Sequence, residues 1–373
     1  MNSNIYDFTI IGTSPLSMME VVLRAGEGKR CCIIDRNERL GGSWRTFDCM
    51  GLYGIETTPH IFLPAGDAYE IMSKALCCQM APWERPVYLL VQNSTFFGNR
   101  KIEIQQNAYS FFVLGVLATL EQKKWNIIKR TSRFIRYISG LSKLLQTKRK
   151  STSIMYPKYG LTQWFKHVSE LFVEKNIDRF METDISLVEK KDGIITLVDT
   201  DGNTYNTKHI CINRNTRFDV IKIDGKPLEI DYVLNSSFHV AFIVNNTKPG
   251  NFVHTVGVKD LMLINDVTDY AEGIAEKYPG CRLIVARFEN SDAEYDYMKE
   301  KCFQDLLEIG YLDSNSEIIE SHVWHLREKK LSNKCIKNVV AKMNGSVSVV
   351  VTSNLGLMST INNLYNRKRP VSE

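Results

Sequence analysis

The first 35 residues constrain this chain more than any other stretch. Tyr6–Ile11 (YDFTII) is short, β-branched and aromatic, as expected of a strand buried on both faces. Gly12 follows, then Ser14 and Pro15, an N-cap hydroxyl and a proline at the first helical position, where a missing N–H costs nothing. Leu16, Met18, Met19, Val22 and Leu23 give the helix an apolar face, and Gly26 and Gly28 stop it. Cys31–Ile34 predicts a second strand that ends at Asp35. A strand, a helix and a strand within about 30 residues make one βαβ unit, so the fold class is α/β.

A unit of this Rossmann-like kind sets a dinucleotide pyrophosphate against the backbone N–H groups of the helix N-terminus. The glycine template G-x-G-x-x-G becomes Gly12-x-Ser14-x-x-Ser17, with one glycine of three kept. Asp35 stands about 20 residues on, where an acid meets ribose hydroxyls. The next stretch, Asp35-Arg36-Asn37-Glu38-Arg39-Leu40-Gly41-Gly42-Ser43-Trp44, resembles the second cofactor motif of a large flavoprotein group. That group holds the amine oxidases, protoporphyrinogen oxidase, phytoene desaturase and UDP-galactopyranose mutase. Ser43 replaces the family's second arginine, and Arg45 lies two residues later. Gly54 to Phe62, with His60, resembles a stretch near the flavin of the mutase.

The resemblance implies FAD, with the paired glycines passing close to its pyrophosphate and ribityl portion. It also implies that Ile185 meets adenine through its backbone and that a closing strand-loop-helix points at the flavin ring. In that loop Thr352-Ser353-Asn354 stands where the family has Gly-Asp. The expected FAD contacts are Gly12, Ser14, Pro15, Ser17, Asp35, Arg36, Arg39, Gly41, Gly42, Ser43, Trp44, His60, Ile185 and Asn354. His60 is the candidate catalytic residue, with a buried core histidine as the alternative. The steric expectation is that bare α-carbons at 12, 41 and 42 leave space for a diphosphate. The Rab GDP dissociation inhibitors resemble the same group without the cofactor, so a flavin-free binding protein stays open.

Further along, 86–106 reads as a β-hairpin, and Ala108–Leu120 is a thirteen-residue apolar run, short of the ~20 residues that span a bilayer. Residues 122–150 hold ten cations and no acid, so the net +5 of the chain is +10 there and −5 elsewhere. This element predicts a solvated helix, a peripheral membrane contact through 108–150, or a funnel for a phosphorylated or lipid-linked substrate; nucleic acid is not expected. An amphipathic helix follows Tyr156–Gly160. Strands at 185–188, 194–198 and 209–212, joined by Asp192-Gly193 and Asp201-Gly202, predict a β-meander. Strands near 238–244 and 282–288, a helix around 292–309, a strand at 346–351 and a last helix over 357–367 complete the reading. His322 and His325 fall on an expected helix, where i, i+3 spacing could share a metal, but no third ligand is in view and no metal is expected.

The expected organisation is a Rossmann-like FAD-binding domain (1–80, 151–215, 331–373) interleaved with an α+β substrate domain (81–150, 216–330). Nine cysteines without a Cys-x-x-Cys predict reduced thiols, and no signal peptide is read, so the expected location is the cytoplasm. A single nucleotide site favours an FAD-dependent oxidoreductase acting on a small or lipid-linked substrate, in glycan or secondary metabolism. A mutase-like non-redox flavoenzyme is the second reading and the flavin-free binding protein the third.

Overall fold

The structure is a computed structural model that describes residues 5–57, 60, 68–83, 87–94, 98–104, 155–245, 252–256, 261–289 and 295–350, with six helical positions between 116 and 142. The membrane-contact segment 108–150 (those positions apart), Asn354 and the helix expected at 357–367 lie outside the described residues.

The opening unit forms as its sequence predicts: β1 (Phe8–Ile11), α1 (Pro15–Ala25) and β2 (Cys31–Ile34). The two strands sit at the centre of a five-stranded sheet in the order Val347–Val350, Ile210–Asn213, β1, β2, Asp178–Phe180, with every pair parallel. Both faces are covered, which is why β1 and β2 carry no polar alternation. Phe8, Ile10, Cys31 and Ile33 pack under α1 and the helix Gly160–Glu174. Ile11, Cys32 and Ile34 face the other layer, beside Val339 and Met343. Fully burying a side chain such as Phe172 or Leu16 contributes about 1.5–3 kcal/mol relative to leaving it exposed.

That second layer is a five-stranded sheet built on the meander Ile185–Lys191, Ile194–Asp199 and Thr204–Thr207. Here the sequence expectation needs correcting. The third meander strand is Thr204–Thr207, whereas Ile210–Asn213 belongs to the parallel sheet beside β1. Ile194–Asp199 alternates between partly buried and buried positions, while all four residues of Ile210–Asn213 are buried.

The third sheet has seven strands in the order Ile318–Leu331, Tyr232–Val244, Arg282–Glu289, Leu261–Asp266, Phe252–Val256, Val87–Ser94, Gly98–Ile104. The expected hairpin forms its far edge, and the helix Tyr295–Glu308 covers one face. Met50, Leu52 and Ile55 of the N-terminal unit pack on the other face. His322 and His325 lie on the strand Ile318–Leu331 and not on a helix. A spacing of three on a strand puts them on opposite faces, so they cannot share a metal. His325 stacks on Phe238 with centroids 4.1 Å apart, and His322 meets Trp324 edge-on at 4.8 Å. Among the described residues no helix is long and apolar enough to cross a membrane.

Candidate functional site

A cleft opens at the carboxyl ends of β1 and β2, where open parallel sheets bind ligands. It encloses about 620 Å³ of space between its atoms, part of it open to solvent. The Gly12–Ser14 turn, Asp35–Asn37, Gly42, Ser43 and Arg45 line it, together with Thr183–Ile185, Asn213, Asn215–Arg217 and Glu328. Of the residues expected to contact a cofactor, Gly12, Ser14, Asp35, Arg36, Gly42, Ser43 and Ile185 therefore meet at one place.

The turn is held from every side. Gly12 has φ +105°, a conformation open to glycine, and its N–H donates to Ile34 O at 2.7 Å. Thr13 donates from both its N–H (2.7 Å) and its hydroxyl (2.6 Å) to Asp35 Oδ2. Asn37 donates from its N–H (2.8 Å) and its amide (2.6 Å) to Asp35 Oδ1. A carboxylate offers about four lone-pair sites, so Asp35 is saturated by protein donors. Gly41 N–H donates to Thr13 O, and Gly42 N–H to Thr13 Oγ1, each at 3.1 Å. The glycine pair thus clasps the first turn.

The helix N-terminus is also used internally. Ser14 is the N-cap of α1, its hydroxyl accepting from Ser17 N–H at 3.3 Å and lying 2.9 Å from Ser17 Oγ. Pro15 supplies no N–H at all. The Cβ direction at Gly12, Gly41 and Gly42 is occupied by protein. A β-carbon on Gly12 would stand 2.5 Å from Asn213 Nδ2, and one on Gly41 would stand 2.5 Å from Phe165 Cε2. On Gly42 it would meet Ser14 N at 3.1 Å. In the Cβ direction these bare α-carbons allow close packing of protein on protein, while Gly12 and Gly42 also line the cleft.

Three other expected contacts, Arg39, Trp44 and His60, do not line the cleft. Arg39 forms an ion pair with Asp48, Nη1 to Oδ1 at 2.7 Å, and lines a separate groove. Trp44 stacks on His60, with centroids 4.6 Å apart and 29° between the planes, and meets Trp164 edge-on. Burial pushes the His60 imidazole down to about 3, with Arg287 and then His239 adding to the shift. His239, opposite Arg287 across the strand pair, is likewise pushed down to about 3 by burial first and Arg287 second. Glu56 is buried and accepts from the Tyr156 hydroxyl and from Leu161 N–H at 3.4 Å.

Sequence reading named Arg36 as a contact and noted Arg45, but missed Arg217 and the cluster the three form. Arg36, Arg45 and Arg217 come from three separate segments and converge on it. Burial lowers the pKa of Arg45, Asp35 opposes that shift, and the charge of Arg36 adds to it. Arg217 is lowered by burial first and by Arg36 second.

The fold is similar to that of solved amine oxidases and of a protein described as a protoporphyrinogen oxidase. It is similar to cyclohexylamine oxidase from Brevibacterium oxydans at 10% identity and TM-score 0.61, covering 97% of this chain and 100% of the oxidase. An oxidoreductase from Methanosarcina mazei is similar at 10% identity and TM-score 0.59, covering 95% and 100%. A Rab GDI from Plasmodium falciparum is similar at 14% identity and TM-score 0.58, covering 97% and 96%. No protein-family model and no curated protein sequence matches the chain.

Two features of the cleft depart from the FAD site that the resemblance implies. The acid expected to meet ribose takes four protein donors, and the helix N-terminus is capped by its own serine.

Proposed function

We propose that this chain is a ligand-binding protein built on the amine oxidase-like fold, with no resident FAD. The observation that carries the proposal is the saturation of Asp35: four protein donors occupy the carboxylate that would take the ribose hydroxyls. Displacing them would cost the fold the hydrogen bonds that join the first turn to the end of β2. Each is worth about 1.5–3 kcal/mol when its partner is charged.

The test is spectroscopic and thermal. The purified protein is expected to be colourless between the near-UV and the blue. Added FAD is expected to leave its unfolding temperature unchanged, since a ligand that binds only the native state must raise stability. A yellow preparation that releases FAD on denaturation overturns the proposal.

A second reading is an FAD-dependent oxidoreductase on a small or lipid-linked substrate. What favours it is the course of the cleft, which runs from Ile185 to the Gly12–Ser14 turn along the line a dinucleotide would follow. The mutase-like alternative also needs a flavin, so the same absorbance measurement decides it.

A further inference from the structure

The geometry points to a phosphate-binding cleft, in which Arg36, Arg45 and Arg217 take the phosphomonoester of a hydroxyl-bearing ligand, a sugar phosphate or a nucleotide. This rests on the reading that no FAD fills the cleft. Three guanidiniums converge there. Arg36 is central, because its charge disfavours the charged forms of both Arg45 and Arg217. Like charges brought together and partly desolvated are unfavourable unless something neutralises them.

No carboxylate pairs with them directly, although Asp35, Asp184 and Glu328 line the same cleft and partly offset their charge through space. Arg45 donates to Gly42 O at 3.1 Å and lies over the Phe47 ring, and Arg217 donates to Arg327 O at 3.2 Å; these partners are carbonyls and a ring, not carboxylates. Arg36 Nη1 and Arg217 Nε are buried with no hydrogen-bond partner. Among the described residues no carboxylate lies within ion-pair distance of any of the three. Glu328, which also lines the cleft, is paired with Lys330 at 3.0 Å. Asp35 is spent on Thr13 and Asn37.

The guanidinium fork matches phosphate oxygens bidentately, and a phosphomonoester carries about −1.5 to −2 charge near neutral pH. It would supply a directly paired counter-charge and the acceptors that Arg36 Nη1 and Arg217 Nε lack. Asp184, Asn215 and Thr216 add polar groups along the same wall, which suit ligand hydroxyls and make a bare phosphate ion a poorer occupant. The charge centres on the end of β2, not on the self-capped helix N-terminus, so recognition runs through side chains.

The experiment measures binding by calorimetry and thermal shift to ribose 5-phosphate, 5′-AMP, 2′-AMP, inorganic phosphate and adenosine. At least one phosphomonoester is expected to bind and to weaken as salt rises, with adenosine silent and inorganic phosphate weaker. Which esters bind separates sugar phosphate from nucleotide. Arg36→Ala and Arg217→Ala are each expected to weaken the best ester by about tenfold or more. Arg36→Lys keeps the charge without the fork and is expected to fall between. Unchanged binding in both alanine variants, adenosine binding as tightly as its phosphates, or no binding by any ester would overturn the inference. An FAD arm run beside these reports on the flavin-free reading separately: FAD uptake equal in wild type and both alanine variants would sink that reading while leaving the ester data to judge the arginines.

Discussion

Gly12 offers the sharpest test of how this cleft is built. In Gly12→Ala the new side chain must accept φ +105°, which costs an L residue about 1–3 kcal/mol. Its β-carbon would also come within 2.5 Å of Asn213 Nδ2, where ordinary contact begins near 3.4 Å. Asn213 must then yield its bond to Ile11 O, now 3.3 Å, at about 0.5–1.5 kcal/mol more. The expected loss is about 2–4 kcal/mol in the ligand-free protein. Asn213→Ala alone gives up the Ile11 bond and the one its Oδ1 accepts from Asn215 N–H at 2.8 Å, about 1–3 kcal/mol. In the double variant the collision is gone, so the combined loss should fall short of the sum by about 1 kcal/mol. Urea unfolding of all four proteins, free of ligand, measures this. Losses that add within about 0.5 kcal/mol would show that the two side chains do not compete for one space, and the packing account of Gly12 would fail.

Three further outcomes are expected. His60 and His239 have folded-state values near 3 against an ordinary 6.5, so the unfolded chain binds more protons below that value. Their stability contribution is complete above about pH 6.5 and drains away toward pH 3, by about 1.4 kcal/mol per unit for each; urea midpoints that do not drop between pH 7 and 5 would contradict it. Asp35→Asn turns one acceptor into a donor facing the Thr13 or Asn37 donors and should cost about 2–4 kcal/mol by the same assay, with no cofactor present; a stability equal to wild type would remove Asp35 from the frame. Exposed Cys77 should be the first thiol alkylated, while burial raises Cys31, Cys32 and Cys211 to about 12 and keeps them unreactive until unfolding; mass mapping that finds Cys32 labelled early would count against the buried assignment.

The βαβ unit was legible because its signals are local and agree: an apolar run, a glycine turn, a Ser-Pro cap and a second apolar run. Ile210–Asn213 was misplaced because a four-residue apolar run says only that it is buried, not in which sheet. The histidines at 322 and 325 were assigned to a helix, although Ile318–Leu331 is a 14-residue strand whose edge-on His322–Trp324 pair follows a period of two. The helix Asn333–Lys342 passed unread despite its Ser332 cap, which accepts from Cys335 N–H at 3.0 Å. Sequence named Arg36 and noted Arg45 beside the glycine pair, but not Arg217, which completes the cluster. Arg36, Arg45 and Arg217 meet only after the strand Ile210–Asn213 is laid beside β1, and the sequence had placed that strand in another layer.

The way Asp35 is tied has a consequence for how such a protein can change. Its carboxylate is committed to the scaffold, so natural variation there costs stability whatever it does to what is bound. Arg36 and Arg217, by contrast, hold nothing else together through a carboxylate, and their exchange leaves the frame standing. Selectivity in this pocket is thereby uncoupled from folding, and a lineage carrying it could switch ligands one cation at a time.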